Sequence, residues 1–170
     1  MRILGIDPGS RITGYGVIQA QSTQLALLAC GTIRTGAETD FSKRLLVIFT
    51  DLCEVIQAHK PDVAAVEEIF LNRNPSSTLK LGHARGVAMI AALQSGIEVF
   101  DYTALRVKQA VAGYGKAEKS QVQYMVRTLL GLNAAPSSDA ADALAVAICH
   151  AHHLARNKAL GATTSRPRIN

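Results

Sequence analysis

Arg2-Ile3-Leu4-Gly5-Ile6-Asp7-Pro8-Gly9-Ser10 is the stretch whose reading decides the fold. Ile3 to Ile6 is a short apolar run of the kind found in the middle of a sheet with both faces covered. It ends on a carboxylate, Asp7, and Pro8-Gly9 breaks the strand at once, because proline removes a donor and glycine permits positive φ. A buried strand that stops on an acid puts that acid at the strand's carboxyl end. In sheets with parallel strands, ligands and chemistry collect at that edge.

Asp62-Val63-Ala64-Ala65-Val66-Glu67-Glu68 repeats the design: a run of small and β-branched residues that ends on acids. Between the two runs, Thr13 to Ile18 and Leu25 to Arg34 read as strands joined by a short polar link, which fits antiparallel hairpins. Phe41 to Ala58 reads as a helix with an apolar stripe of Leu45, Ile48, Phe49, Leu52, Val55 and Ile56. Ser42 or Asp40 suits its start, and Lys60-Pro61 closes it. A strand that follows so long a helix is expected to lie parallel to the first and close to it. Asp7 and Glu67 then emerge at the same edge. On a strand Glu67 and Glu68 point to opposite faces, and the pattern leaves open which of them joins Asp7.

Asn74-Pro75 opens a helix to about Gln94. Gly82 and Gly86 inside it each cost about 1 kcal/mol against alanine. They suggest the close approach of another backbone, either the chain's own sheet or a second subunit. Ile97 to Tyr102 reads as a strand, Thr103 to Ala112 and Glu118 to Leu130 as helices. The last helix begins near Ser138-Asp139, with Ser137 or Ser138 suited to its N-cap. It runs through an almost wholly apolar stretch to about Leu154.

Composition agrees with an α/β domain. The chain has 170 residues, 48% of them hydrophobic but only 5% aromatic and none Trp, so small aliphatic side chains must fill the core. No apolar run reaches the roughly 18 residues a membrane span needs, and no signal-peptide pattern opens the chain. Cys30, Cys53 and Cys149 are odd in number and far apart, as expected of buried thiols in a reducing cytoplasm. The net charge is +5, and it is concentrated. Arg73 to Arg127 holds eight basic and three acidic residues, and the chain from Arg156 onward has four basic residues and no acid. That surplus suggests a polyanionic partner.

Asp139 and Asp142 are three apart, so they share a face in the first turn of the last helix. Aspartates there commonly serve as caps and answer the helix dipole. With Asp7 and Glu67, however, they make four acids, each on an apolar buried element. Carboxylates gathered in a low dielectric repel one another. Hard divalent cations, Mg²⁺ or Mn²⁺, relieve this. Two such ions about 4 Å apart suit phosphodiester hydrolysis.

Ile6-Asp7-Pro8-Gly9-Ser10 with Thr13-Gly14-Tyr15-Gly16, then Val66-Glu67-Glu68, Leu81-Gly82-His83-Ala84-Arg85-Gly86, Ala117-Glu118-Lys119-Ser120-Gln121-Val122 and Asp139-Ala140-Ala141-Asp142-Ala143-Leu144-Ala145, resemble in order the RuvC Holliday-junction resolvases. The resemblance runs from residue 2 to about residue 153. It implies a ribonuclease-H-like fold, a five-stranded mixed sheet flanked by helices, over residues 1–154. Residues 155–170 are left as a basic tail expected to be disordered. It implies a crossover junction endodeoxyribonuclease of recombination and DNA repair: a cytoplasmic homodimer that binds four-way junction DNA, cuts it by paired symmetric nicks and acts with a branch-migration motor. The family's metal-binding and catalytic acids fall on Asp7, Glu67, Asp139 and Asp142, for Mg²⁺ (with Mn²⁺ able to substitute), two ions per site. Its junction-stacking aromatic falls on Phe70 and its phosphate-contacting lysines on Lys108 and Lys119, with Arg73 a further DNA contact.

Two other functions compete. Asp-Pro-Gly-Ser before a hairpin also resembles the phosphate loop of actin-like ATPases, but those need a second comparable domain, and no GxxxxGK[ST] pattern occurs. A junction-binding scaffold without catalysis is opposed by the intact set of four acids. Cys149 and His153 have a spacing that can bind zinc. Two ligands do not make a structural site, and histidines near a helix C-terminus are more simply explained by the dipole.

Overall fold

The computed structural model describes residues 1–69 and 74–161. In chain order the elements are β1 (Arg2–Asp7), β2 (Ile12–Gln21), β3 (Gln24–Arg34), α1 (Phe41–His59), β4 (Val63–Glu67), α2 (Pro75–Gln94), β5 (Glu98–Tyr102), α3 (Ala104–Ala112), α4 (Lys119–Leu129) and α5 (Ser138–Ala159). The strands form one sheet in the order β3-β2-β1-β4-β5. β1 pairs antiparallel with β2 and parallel with β4, and β5 continues parallel beside β4. The opening strand therefore lies at the centre, as its uninterrupted apolar character requires.

Strand alternation sorts the core into two layers. Ile3, Ile18, Val63, Ala65 and Tyr102 face a cluster completed by α3, α4 and α5. Leu4, Ile6, Val17, Ala64, Val66 and Val99 face a cluster completed by α1 and α2. α5 is buried on nearly every side from Ala140 to Ala151, because the sheet lies beneath it and α3 and α4 cover it.

The helix ends follow local chemistry. Asp40 caps α1 by accepting from the Ser42 amide at 2.9 Å, and Lys60 closes it in the left-handed region at φ 48°. Asn74 caps α2 through the Ser76 and Ser77 amides, with Pro75 next in line. Ser137 holds the N-cap position of α5 but makes no side-chain cap bond.

Two expectations change. The last helix was expected to end near Leu154, yet α5 continues to Ala159, so residues 155–159 are helical and not part of a disordered tail. Nothing before Gly161 (φ 66°) interrupts helical geometry, and Arg156 and Lys158 in the last turn complement the dipole. Nor do Gly82 and Gly86 let α2 down onto the chain's own sheet: among the described residues a Cβ at either would meet no atom within 4 Å. The residues α2 buries are Ala84, Ala88, Ala91 and Ala92, and both glycines border open space.

Candidate active site

The site begins with strand register. Ile6 pairs with Val66 in the parallel β1–β4 ladder, so the next residues, Asp7 and Glu67, sit side by side at the carboxyl edge. Ile3, Val63 and Ala65 face the α5 layer, and period-two alternation carries Gly5, Asp7 and Glu67 to that same face. Glu68 falls on the other parity, and its amide bonds the Tyr102 carbonyl at 2.9 Å. Register thus decides what the pattern left open: Glu67 is the partner of Asp7.

The turn after Asp7 is clamped from within. Thr13, fully buried, donates its hydroxyl to the Gly9 carbonyl at 2.9 Å and accepts from the Gly9 amide at 3.3 Å. Three strand glycines then decide how near α5 can come. A Cβ on Gly5 would collide with the Ala143 carbonyl, one on Gly14 with the Asp139 carbonyl, and one on Gly16 with the Leu144 side chain. Gly14 is the cross-strand partner of Asp7. Its bare backbone therefore lets the first turn of α5 sit against the sheet beside Asp7, with Asp139 and Asp142 in that turn and the next. Sequence reading quoted Gly14 and Gly16 within a motif but gave them no task. Glycines two apart inside a strand were the available signal.

The four carboxylates feel one another. The carboxyl of Asp7 is pushed up to about 7, first by burial and then by the charges of Glu67, Asp142 and Asp139, with Lys119 opposing. Glu67 is also raised, by burial and by Asp142, with Lys119 and Lys108 opposing. Lys119 Nζ lies 2.5 Å from Asp142 Oδ2, and this hydrogen bond is the main reason its own pKa is raised. Glu67, Asp142, Lys108 and Lys119 line a cavity of about 210 Å³ between α3, α4 and α5. Among the described residues, no group of three His, Cys, Asp or Glu side chains is arranged to hold a metal ion. The donor set is nonetheless all oxygen, half-buried and in excess of its lysine counter-charge, which is the chemistry that Mg²⁺ or Mn²⁺ satisfies.

Beneath the site, on the α2 side, Arg85 Nε donates to the Glu67 carbonyl at 3.2 Å while its guanidinium pairs with Asp101 on β5. It ties the ends of β4 and β5 together directly behind Glu67. Arg85 was quoted within a motif but given no role, because its partners are fixed only by the fold. Phe70 and Arg73 lie outside the described residues. The histidines of α5 do not reach the carboxylates. His150 is fully buried against the Tyr102 hydroxyl at 2.8 Å, and burial holds its pKa down at about 4. His152 donates to the Ala110 carbonyl at 2.9 Å, and His153 pairs with Asn157 at 3.0 Å. Cys149 is buried, which pushes its thiol up to about 12 and away from the thiolate that zinc requires.

Comparison with known proteins gives the family and the fold. Residues 3–150 match the family model described as crossover junction endodeoxyribonuclease RuvC. A relative of that name from Legionella pneumophila is 54% identical over 150 residues, covering 88% of this chain and 86% of the relative. The solved structure of Thermus thermophilus RuvC in complex with Holliday junction substrate superposes with a TM-score of 0.86 at 37% identity, covering 92% of this chain and 96% of that one. The yeast mitochondrial Holliday junction resolvase superposes at a TM-score of 0.67 over 92% of this chain and 82% of its own. At 12% identity that likeness concerns the fold alone. The sheet order, the helical layers and these neighbours make the fold ribonuclease-H-like. With the match spanning nearly all of the described residues, the chain belongs to the RuvC family of crossover junction endodeoxyribonucleases.

Proposed function

We propose that this protein resolves four-way DNA junctions by metal-assisted hydrolysis of one phosphodiester in each of two strands, with Asp7, Glu67, Asp139 and Asp142 as the metal-holding catalytic acids. The observation that carries the reading is the meeting of acids from β1, β4 and α5 around a carboxyl whose pKa their mutual repulsion helps to raise. Two Mg²⁺ ions, or Mn²⁺ in their place, supply an activated water and stabilisation of the leaving oxygen.

The chain's own residues do the rest. Asp7 and Glu67 are held by the central ladder, and Asp139 and Asp142 by a helix packed directly on the bare backbones of Gly5, Gly14 and Gly16. Lys119 and Lys108 stand at the mouth with their ammonium groups among the carboxylates. Lys119, more than half exposed and paired with Asp142, is placed to donate to a phosphate oxygen; Asp142 would then be free to serve as a metal ligand. Phe70 and Arg73 follow β4 directly in sequence, and we assign them to the junction's unpaired bases and backbone.

The active unit is a homodimer. α1 and α2 leave an apolar groove of about 890 Å³ that includes Leu46 and Leu79, 63% and 65% exposed, and the open backbones of Gly82 and Gly86. A second copy of this face, packed close at the glycines, covers it and provides the two sites that paired nicking needs. A branch-migration motor and a cytoplasmic location complete the assignment. No described helix is long and apolar enough to cross a membrane.

The test is a labelled synthetic four-way junction incubated with the protein in Mg²⁺ and, separately, in EDTA. Paired nicks that need the metal are expected. Binding with no cutting in either Mg²⁺ or Mn²⁺ would overturn the reading in favour of a scaffold, and nucleotide hydrolysis in favour of an ATPase.

A further inference from the structure

About 15 Å along α5 from Asp142 (ten residues at 1.5 Å each), α3 and α5 enclose a second cavity, of about 500 Å³. Its walls carry Arg106, Arg156, His152, His153 and Gln109, with Tyr102 and Cys149 at the back and, among the described residues, no acidic side chain. α3 faces the two cavities from different sides. Val107 and Lys108 line the carboxylate cavity, whereas Arg106, Gln109 and Ala110 line this one.

Three observations separate it from an ordinary solvated surface. Among the described residues neither Arg106 nor Arg156 has an ion-pair partner, the pairs there being Arg85–Asp101 and Lys119–Asp142. Arg156 belongs to the last turn of α5, where the dipole favours a cation, but Arg106 sits in the first turn of α3, where the dipole opposes one. Helix stability therefore accounts for one arginine and not for the other. The cationic groups also face one another: besides burial, the charges of Arg156 and Arg106 hold His153 towards its neutral form. Like charges turned onto one cleft without an acid between them form a site that an anion completes.

We infer that the α3–α5 cleft is a second, oxyanion-binding site, separate from the carboxylate cluster, and that its ligand is a phosphate group gripped by Arg106 and Arg156. The planar guanidinium fork matches phosphate oxygens two at a time. Gln109 adds an amide donor. The wall is stiff, because the hydrogen bond from His152 to the Ala110 carbonyl ties α5 to α3. A cavity of this size takes a phosphate or a pyrophosphate with room to spare. Two sources share that chemistry: a backbone phosphate of a DNA arm passing over α3, and a free phosphate compound. The DNA source rests on the junction-nuclease reading, but the phosphate chemistry does not.

The experiment titrates the full-length protein, without metal and at low salt, with inorganic pyrophosphate. Calorimetry and the Arg Nε–Hε NMR signals provide the readout, for the unaltered protein and for Arg106→Gln/Arg156→Gln. Both positions are exposed, so the variant should keep its Tm and circular dichroism. Pyrophosphate should bind and shift the two arginine signals, with affinity falling about tenfold or more in the variant. The slope of log Kd against log salt for a four-way junction then identifies the source. A slope smaller by roughly 1–2 in the variant assigns the cleft to the DNA backbone. An unchanged slope with lost pyrophosphate binding assigns it to free phosphate compounds. Unchanged pyrophosphate binding together with an unchanged slope overturns the site. Loss of metal-dependent nicking by the unaltered protein would overturn the nuclease reading and leave this result standing.

Discussion

Glycine means opposite things on the two sides of this molecule. On the α5 side, Gly5, Gly14 and Gly16 are full positions: each lies against an atom of α5, and a single methyl group has nowhere to go. On the α1–α2 side, Gly82 and Gly86 are empty positions, with nothing among the described residues within 4 Å of an added Cβ. The first set draws a helix that carries two carboxylates down onto a strand that carries a third. The second set keeps a helix surface flat beside exposed Leu79 and Ile90. Closeness within the chain builds the candidate chemistry, and room left outside it builds a candidate contact with another chain. The same residue type serves both, so glycine in a sequence marks a close approach without saying whether the visitor is internal.

The largest expected effect lies at the centre of the full side. Asp7→Asn removes the carboxylate that feels all the others, and metal-dependent nicking should fall on the order of 10³-fold while junction binding persists. Rates near those of the unaltered protein would remove Asp7 from the chemistry. The same variant should be more stable without metal. The carboxyl of Asp7 moves from 3.8 towards 7 on folding, so between those values the folded state binds more protons than the unfolded. Stability from this group therefore declines as pH rises from about 4 to 7. Asn escapes the decline, so the melting temperatures of variant and parent should coincide below about pH 4, separate between pH 4 and 7 with the variant higher, and keep that gap above pH 7.

Next in size is Gly14→Ala. Its methyl strikes the Asp139 carbonyl and must push the first turn of α5 away from Asp7. Overpacking of this kind costs about 1–3 kcal/mol, and a displacement near 1 Å in a catalytic group costs about 10²-fold in rate. A Gly14→Ala protein with full activity would break the comparison at its strongest point.

The pH profile of nicking should follow Asp7. At limiting Mg²⁺ the rate should fall as pH drops through about 7, by up to about tenfold per unit, because a proton then occupies an oxygen the metal needs. Raising Mg²⁺ should move the midpoint down. A midpoint that ignores metal concentration would point to a different titrating group. Arg85→Gln should have a smaller effect, about tenfold in kcat with junction affinity kept, since it loosens the backbone behind Glu67 without touching the cavity.

The smallest effect tests the empty side. Gly86→Ala should stabilise the monomer by up to about 1 kcal/mol through helix propensity, opposite in sign to Gly14→Ala. It should also weaken self-association in sedimentation if a second copy occupies that space. Lower monomer stability would mean that the position is not open.

Much of this was legible in the chain because it is written locally. Asp7-Pro8-Gly9 announces a buried strand that ends on an acid. Asp40 and Asn74 cap α1 and α2, as their residue types and the following positions suggest. The apolar run from Ala140 to Ala151, broken by Asp142, announces a buried helix with a carboxylate it must direct at something. The Leu154 boundary failed for a local reason as well: a change of composition is not a helix stop, and the stop itself waits for Gly161.

The sequence by itself therefore determined the elements, the acids they end on and the family, since hydrophobic period, turn residues and motif order are properties of neighbours in the chain. Residue pattern left open which acid of a pair meets Asp7 and the family resemblance pointed to Glu67, but the physical reason lies in the tertiary structure, in the Ile6–Val66 register across sixty residues. Only the tertiary structure decided that Gly14 yields to α5 while Gly86 faces outward, that Arg85 braces Glu67 from behind, that Lys119 holds Asp142, and that Arg106 and Arg156 share a cleft without an acid. Each of these is a relation between surfaces brought together by packing, and a contact of that kind has no pattern along the chain to announce it.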